Sequence, residues 1–136
     1  MEWINGEYVL TDENRRMDMD AICRLLAGTY WAGHRPRART ERACQHSVCF
    51  GLFHQGRQVG FARAVSDQAT FTYLCDLVIA AEHRRRGLGK WMLRTLLEHP
   101  QLQTTTYALR TRDAQGLYAP FGFKPAEYLR KSANPA

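Results

Sequence analysis

Apolar positions change their spacing several times along the chain, and each change marks a predicted element. Tyr8-Val9-Leu10-Thr11 reads as a short first strand. From Asp18 to Thr29, Met19, Ile22, Cys23, Leu25 and Leu26 recur at helical spacing behind Asp18, a residue suited to cap a helix N-terminus. Val48 to Phe53 and Val59 to Val65 are β-rich runs separated by His54-Gln55-Gly56-Arg57-Gln58, whose glycine suits a tight hairpin. Thr70 to Ile79 is a third run, predicted antiparallel to its predecessor. Leu88, Met92, Leu93, Leu96 and Leu97 then form a helical stripe stopped by His99-Pro100, and Thr104 to Thr111 is the next strand. The helix between these last two strands implies a parallel pair joined by a right-handed crossover. A short helix from Ala114 to Ala119 and a last strand near Glu127 to Arg130 complete the order. Tyr30-Trp31, two large aromatics at a helix end, fit either a core or a substrate wall.

Composition supports one domain over residues 1–136, with no repeat and no linker. At 45% hydrophobic and 11% aromatic residues the chain can build a core without metals or disulfides, which excludes intrinsic disorder. The longest apolar runs, such as Leu77 to Ala81, fall far below the ~20 residues a membrane span requires. The segment Met1 to Gly6 lacks a basic stretch followed by an apolar one, so no secretory leader is expected and the cytoplasm is the default compartment. Nineteen basic against thirteen acidic residues give a net charge of +6 and invite a polyanion. The excess gathers at Arg35 to Arg42, which reads as a solvated face, and at Arg84 to Lys90. Cys23, Cys44, Cys49 and Cys75 form no C-x-x-C pair and no metal-ligand spacing with the histidines, so free thiols and no metal are expected.

The informative stretch is Leu77-Val78-Ile79-Ala80-Ala81-Glu82-His83-Arg84-Arg85-Arg86-Gly87-Leu88-Gly89-Lys90. A strand runs into a basic, glycine-containing turn that opens an amphipathic helix, and several free backbone N–H groups then converge on one spot. Gly87 and Gly89 remove side chains where a phosphate must approach the main chain, and the helix dipole and arginines add positive potential. The signatures of ATP and dinucleotide sites are absent. The pattern R-x-x-G-x-G, here Arg84 to Gly89, resembles the acyl-CoA pyrophosphate motif of the GCN5-related N-acetyltransferase (GNAT) family. Thr111 to Phe123, with Tyr118 ahead of Phe121-Gly122-Phe123, resembles that family's second signature, in the same order and spacing.

The resemblance implies an α/β fold, an α+β arrangement of helices around a mixed sheet whose central strands splay apart, and acetyl-CoA as cofactor. The implied coenzyme contacts are Leu77, Val78 and Ile79, whose main chain would pair with the pantetheine arm, and Arg84, Arg85, Arg86, Gly87, Leu88, Gly89 and Lys90 at the phosphates. A backbone N–H near Val78 would polarise the thioester oxygen. Tyr118 corresponds to the family's general acid; its alternative is a buried, hydrogen-bonded tyrosine. Asp113 reads as a helix cap or a cofactor contact. Asp76 interrupts an apolar strand, where a buried carboxylate requires a partner: either a cationic acceptor amine or an arginine such as Arg63. Alternation puts Asp76 on the face of Leu74 and Val78 unless a bulge intervenes. Tyr30, Trp31 and Asp76 are the substrate-binding candidates; Asp76 is also a catalytic candidate, placed to orient or deprotonate the amine, with Glu41 and His46 as weaker bases. The function so implied is N-acetylation of a primary amine on a small molecule or protein, by direct attack. A catalytically idle acyl-CoA sensor of the same fold is the alternative. A nucleic-acid-binding role is disfavoured because the coenzyme phosphates account for the arginines, no membrane partner is expected, and a homodimer is left open.

Overall fold

The computed structural model describes residues 1–133. The first helix, α1 (Met19–Ala27), starts where expected, with the Asp18 carboxylate accepting from the Ala21 N–H at 3.2 Å. It buries Ala21, Ile22 and Leu26 and ends at Gly28. Six strands form one sheet in chain order: β1 (Glu2–Asn5), β2 (Tyr8–Thr11), β3 (Val48–His54), β4 (Arg57–Ser66), β5 (Phe71–Ile79) and β6 (Thr106–Leu109). Every neighbouring pair is antiparallel except β5 and β6, which are parallel across the helix α3 (Leu88–Leu97). The predicted crossover is therefore formed.

Strand alternation divides the apolar side chains between two helical layers. Phe50 and Leu52 of β3, Ala62 and Ala64 of β4 and Leu74 of β5 pack against Leu88, Met92, Leu93 and Leu96 of α3. On the opposite face, Cys49, Phe61 and Val78 pack against Ile22 and Leu26 of α1 and Cys44 of α2 (Arg37–Gln45). Each fully buried Leu, Ile, Val, Met or Phe among them contributes about 1.5–3 kcal/mol. Gly60 is required by this packing, since a Cβ there would stand 2.9 Å from Leu52 Cβ and 3.3 Å from the Val78 carbonyl oxygen.

Three elements differ from the sequence reading. Strand β1 was not expected; it is short and mostly exposed, and forms a hairpin with β2 through Gly6 at φ +59. Helix α2 occupies part of the stretch read as a solvated basic face. It buries only Thr40 and Cys44, and Arg37 ties it down by hydrogen bonds to Glu41 and Asp20. The last strand, expected near Glu127 to Arg130, does not form: Leu129 is fully exposed, so no apolar face is there to be buried against the sheet. Among the described residues β6 is consequently the sheet edge, and the strands that splay apart are β5 and β6. The last short helix, α4 (Gln115–Tyr118), is present. Its first turn is not capped by Asp113; the Thr111 hydroxyl accepts from the Ala114 N–H at 2.9 Å, and Asp113 shows no capping bond.

Candidate active site

Strands β5 and β6 are paired only from Phe71–Leu74 against Thr106–Leu109. Beyond Leu74, β5 continues to Ile79 with β4 on one side and, among the described residues, no strand on the other. In an antiparallel ladder alternate residues turn both main-chain groups toward the same partner. The Ala80 N–H donates to the Val59 carbonyl of β4 at 2.8 Å, so Val78 also faces β4, while Leu77 and Ile79 turn their N–H and C=O outward. The Ile79 carbonyl accepts from Arg84 Nε at 2.9 Å, in agreement with that orientation.

A bulge sits at the start of this open edge. Phe61 is opposite Val78 but Arg63 is opposite Cys75, which leaves one extra residue on β5, and Asp76 takes φ +58. The bulge reverses the alternation. Leu74 packs on the α3 side and Val78 on the α1 side, so Asp76 shares a face with Val78 and not with Leu74. There its carboxylate, fully buried, receives Arg35 Nη1 and Nη2 at 2.8 and 3.1 Å and Arg63 Nε at 2.9 Å. Burial alone would raise the Asp76 carboxyl, but the hydrogen bonds and charges of the two guanidiniums hold it below its ordinary value. The aspartate is thus in direct contact with both Arg35 and Arg63.

Past β5, a short 3₁₀ turn (Ala81–His83) leads into the glycine turn. Arg85 and Gly87 have φ of +64 and +75, and Gly87 begins α3. A Cβ on Gly87 or Gly89 would meet no heavy atom within 4 Å, so the space above this N-terminus is open to a ligand. Arg84, Arg85 and Lys90 line the same cleft, but Arg86 does not; its guanidinium donates to the Tyr8 hydroxyl at 3.1 Å, which in turn meets His83 Nδ1 at 2.7 Å.

The cleft holds about 1230 Å³, more than the ~300–1,000 Å³ of a single small-ligand site. Leu77, Val78, Ile79, Gly87 to Lys90 and Tyr118 line it together with Tyr30, Trp31, Asp76 and Asp113. Tyr30 and Trp31 meet edge to face, half exposed, and form a wall of the cleft rather than core. Tyr118 packs against the α3-side core and the Phe123 ring, and burial raises its phenol above the ordinary value, with Tyr30 adding to the effect. Burial likewise pushes the Cys75 thiol up to about 11, so it stays protonated at neutral pH. Glu41 is committed to Arg37, and neither Glu41 nor His46 lines this cleft. Sequence reasoning missed Arg35, which lies 41 residues from its partner Asp76, and Tyr73, Arg110, Arg112 and Arg130, which reach the cleft from separate segments. No local pattern marks them.

Residues 19–123 match the family model for the acetyltransferase (GNAT) family. A Gibberella zeae protein assigned as an acetyltransferase is 32% identical over 116 residues, 71% of this chain and 66% of that protein. Mouse N-acetyltransferase family 8 member 3 is 42% identical over 64 residues, 43% of this chain and 28% of that protein. The chain thus spans less than two thirds of the length of these curated relatives. The crystal structure of a GNAT-family protein from Xanthomonas campestris pv. campestris superimposes with a TM-score of 0.88 at 42% identity, covering 94% of each chain. A crystal structure of a protein assigned as an acetyltransferase from Deinococcus radiodurans R1 shares the fold at a TM-score of 0.74 and 19% identity, covering 97% of this chain and 93% of its own. The chain belongs to the GNAT acetyltransferase family, whose members are acyl-transfer proteins.

Proposed function

We propose that this chain transfers the acetyl group of acetyl-CoA to a primary amine by direct attack. The observation that carries the reading is the edge of β5 from Leu77 to Ile79, which has outward-facing main-chain groups, no neighbouring strand among the described residues, and an open glycine turn at its end. Such an edge can accept an extended arm as an added strand. The residues present fit coenzyme A: Leu77 and Ile79 would hold the arm, Gly87 and Gly89 leave the helix N-terminus accessible to phosphates, and Arg84, Arg85 and Lys90 supply the charge. When bound, acetyl-CoA supplies an activated thioester.

The chain's own groups then have separate tasks. The Leu77 N–H, directed away from β4 beside the bulge, is the donor best oriented to stabilise negative charge on a carbonyl oxygen. The Tyr118 hydroxyl, kept protonated by burial, delivers its proton to the departing thiolate as the C–N bond forms and the C–S bond breaks; the proton shed by the amine nitrogen passes to water, which restores the phenol. Asp76 acts as a positioning residue that fixes Arg35 and Arg63 beside the bulge, since its oxygens are already shared between them. Tyr30 and Trp31 shape the acceptor side of the cleft.

Thermal melts with acetyl-CoA, followed by thiol release across a panel of primary amines, test this reading. Expected are a coenzyme-dependent rise in Tm, because a ligand of the native state stabilises it by mass action, and amine-dependent release. Stabilisation without release from any amine would refute the transfer and favour the idle sensor.

A further inference from the structure

We propose that the acceptor is an amine that also carries an acidic group, bound by arginines on the α1 side of the sheet. This rests on the acetyl-transfer reading above and names the substrate class of the same cleft.

The splay between β5 and β6 opens the sheet to both of its faces. Leu77, Ile79, Tyr107, Leu109 and Tyr118 pack with the α3-side core, on the side where the glycine turn begins its helix. Tyr30 and Trp31 enter from the α1–α2 connection, over the face of Asp76 and Val78. Arg110 directly follows Leu109, the last residue of β6, and Arg110 and Arg130 line the cleft together with Tyr73, whose neighbour Leu74 packs on the α3 side. The two ends of the cleft are therefore built by different residues.

Their charges differ from what a cationic acceptor requires. The carboxylates lining the cleft are Asp76 and Asp113, and Asp76 is saturated by Arg35 and Arg63. Arg84, Arg85 and Lys90 belong to the glycine turn. That leaves Arg110, Arg112 and Arg130, none with a carboxylate partner among the described residues. The Arg112 guanidinium lies 3.8 Å from the centroid of the Tyr30 ring, and the Arg112 N–H donates to the Tyr30 hydroxyl at 3.2 Å. Arg110 stands 5.9 Å from the centroid of the Tyr128 ring. A guanidinium stacked on a ring keeps its in-plane N–H edge free, and that edge matches a carboxylate or phosphate in two-point contact. The aromatic walls suit an apolar body between the acid and the amine. Nearby positive charge also lowers the pKa of a bound ammonium, which favours the neutral, attacking form without a carboxylate base. A polycationic amine would meet three unpaired arginines with a single free aspartate to offset them.

The test compares three benzylic amines alike in size with acetyl-CoA as donor: 4-(aminomethyl)benzoate, 4-methylbenzylamine and 1,4-bis(aminomethyl)benzene. Expected is a kcat/KM about tenfold higher for the benzoate than for 4-methylbenzylamine, which lacks the carboxylate, the worth of one charge-assisted hydrogen bond, with the diamine slowest. R110Q and R130Q should each reduce that preference, and R110K should retain most of it; the acetyl-CoA-dependent Tm shift of each variant verifies folding and coenzyme binding. Equal rates for the three amines, or preference for the diamine, overturn the inference and leave the transferase reading standing. Release from none of the three alongside release from other primary amines of the panel overturns the inference alone; release from no amine at all, with a normal coenzyme-dependent shift, overturns both.

Discussion

Replacing Asp76 with asparagine separates the charge from the backbone geometry. The residue stands at φ +58, a conformation that asparagine tolerates as aspartate does, so the bulge should survive the change. What is lost is the negative charge between Arg35, 20% exposed, and Arg63, 13% exposed, which keep theirs. Breaking a buried ion pair from one side costs ~3–5 kcal/mol, and partial access of water to both guanidiniums puts this case at about 3 kcal/mol. Unfolding entropy of ~2.1 cal/mol/K per residue gives about 0.29 kcal/mol/K for this length, so Tm should fall by about 10 °C. The pH dependence has a definite sign. Asp76 is held below its ordinary value, so its contribution is complete above the unfolded carboxyl value near pH ~4 and is lost as the pH falls through the lower folded value. The gap between wild type and D76N should be constant from about pH 5 to 8 and close only in acid below about pH 4. Calorimetric or circular-dichroism melts across this range measure it. A D76N protein that melts within about 2 °C of wild type at pH 7 but shows a raised acceptor KM would refute the reasoning and return Asp76 to the amine.

Y118F should keep the acetyl-CoA-dependent Tm shift and slow turnover by about 10²-fold; because burial raises this phenol, the wild-type rate should hold through neutral pH and lose this acid only above the ordinary tyrosine value near pH ~10. Unchanged steady-state rates in the variant would remove Tyr118 from proton delivery. G87V places a β-branched residue at φ +75 with open space around it, so it should lower the coenzyme-free Tm by a few degrees through about 1–2 kcal/mol of backbone strain and abolish the coenzyme-dependent shift. A full shift in G87V would remove this turn from the site. G60A forces a Cβ to within 2.9 Å of Leu52, an overpacking of about 1–3 kcal/mol that should appear as a lower Tm, and an unchanged melt would show that the two strands can part at no cost.

The sequence alone determined the elements whose signal is local. The Asp18 cap with its apolar stripe, the β3–β4 hairpin, the β5–α3–β6 crossover and the glycine turn at Arg84 to Lys90 each occupy a continuous stretch whose periodicity and turn residues settle it. The paired motifs around Gly87 and Tyr118 led to the family for the same reason. Tertiary structure decided what depends on distant partners. Helix α2 has no apolar stripe and is held by Thr40, Cys44 and the contact of Arg37 with Asp20. The expected strand at Glu127 to Arg130 had a suitable composition but found no surface to bury Leu129. A single extra residue on β5 chose the face of Asp76, and strand periodicity alone cannot reveal a bulge whose other half is a partner strand. The pairing of Asp76 with Arg35, 41 residues away, was equally hidden, because buried charge is satisfied by whatever the fold brings near it.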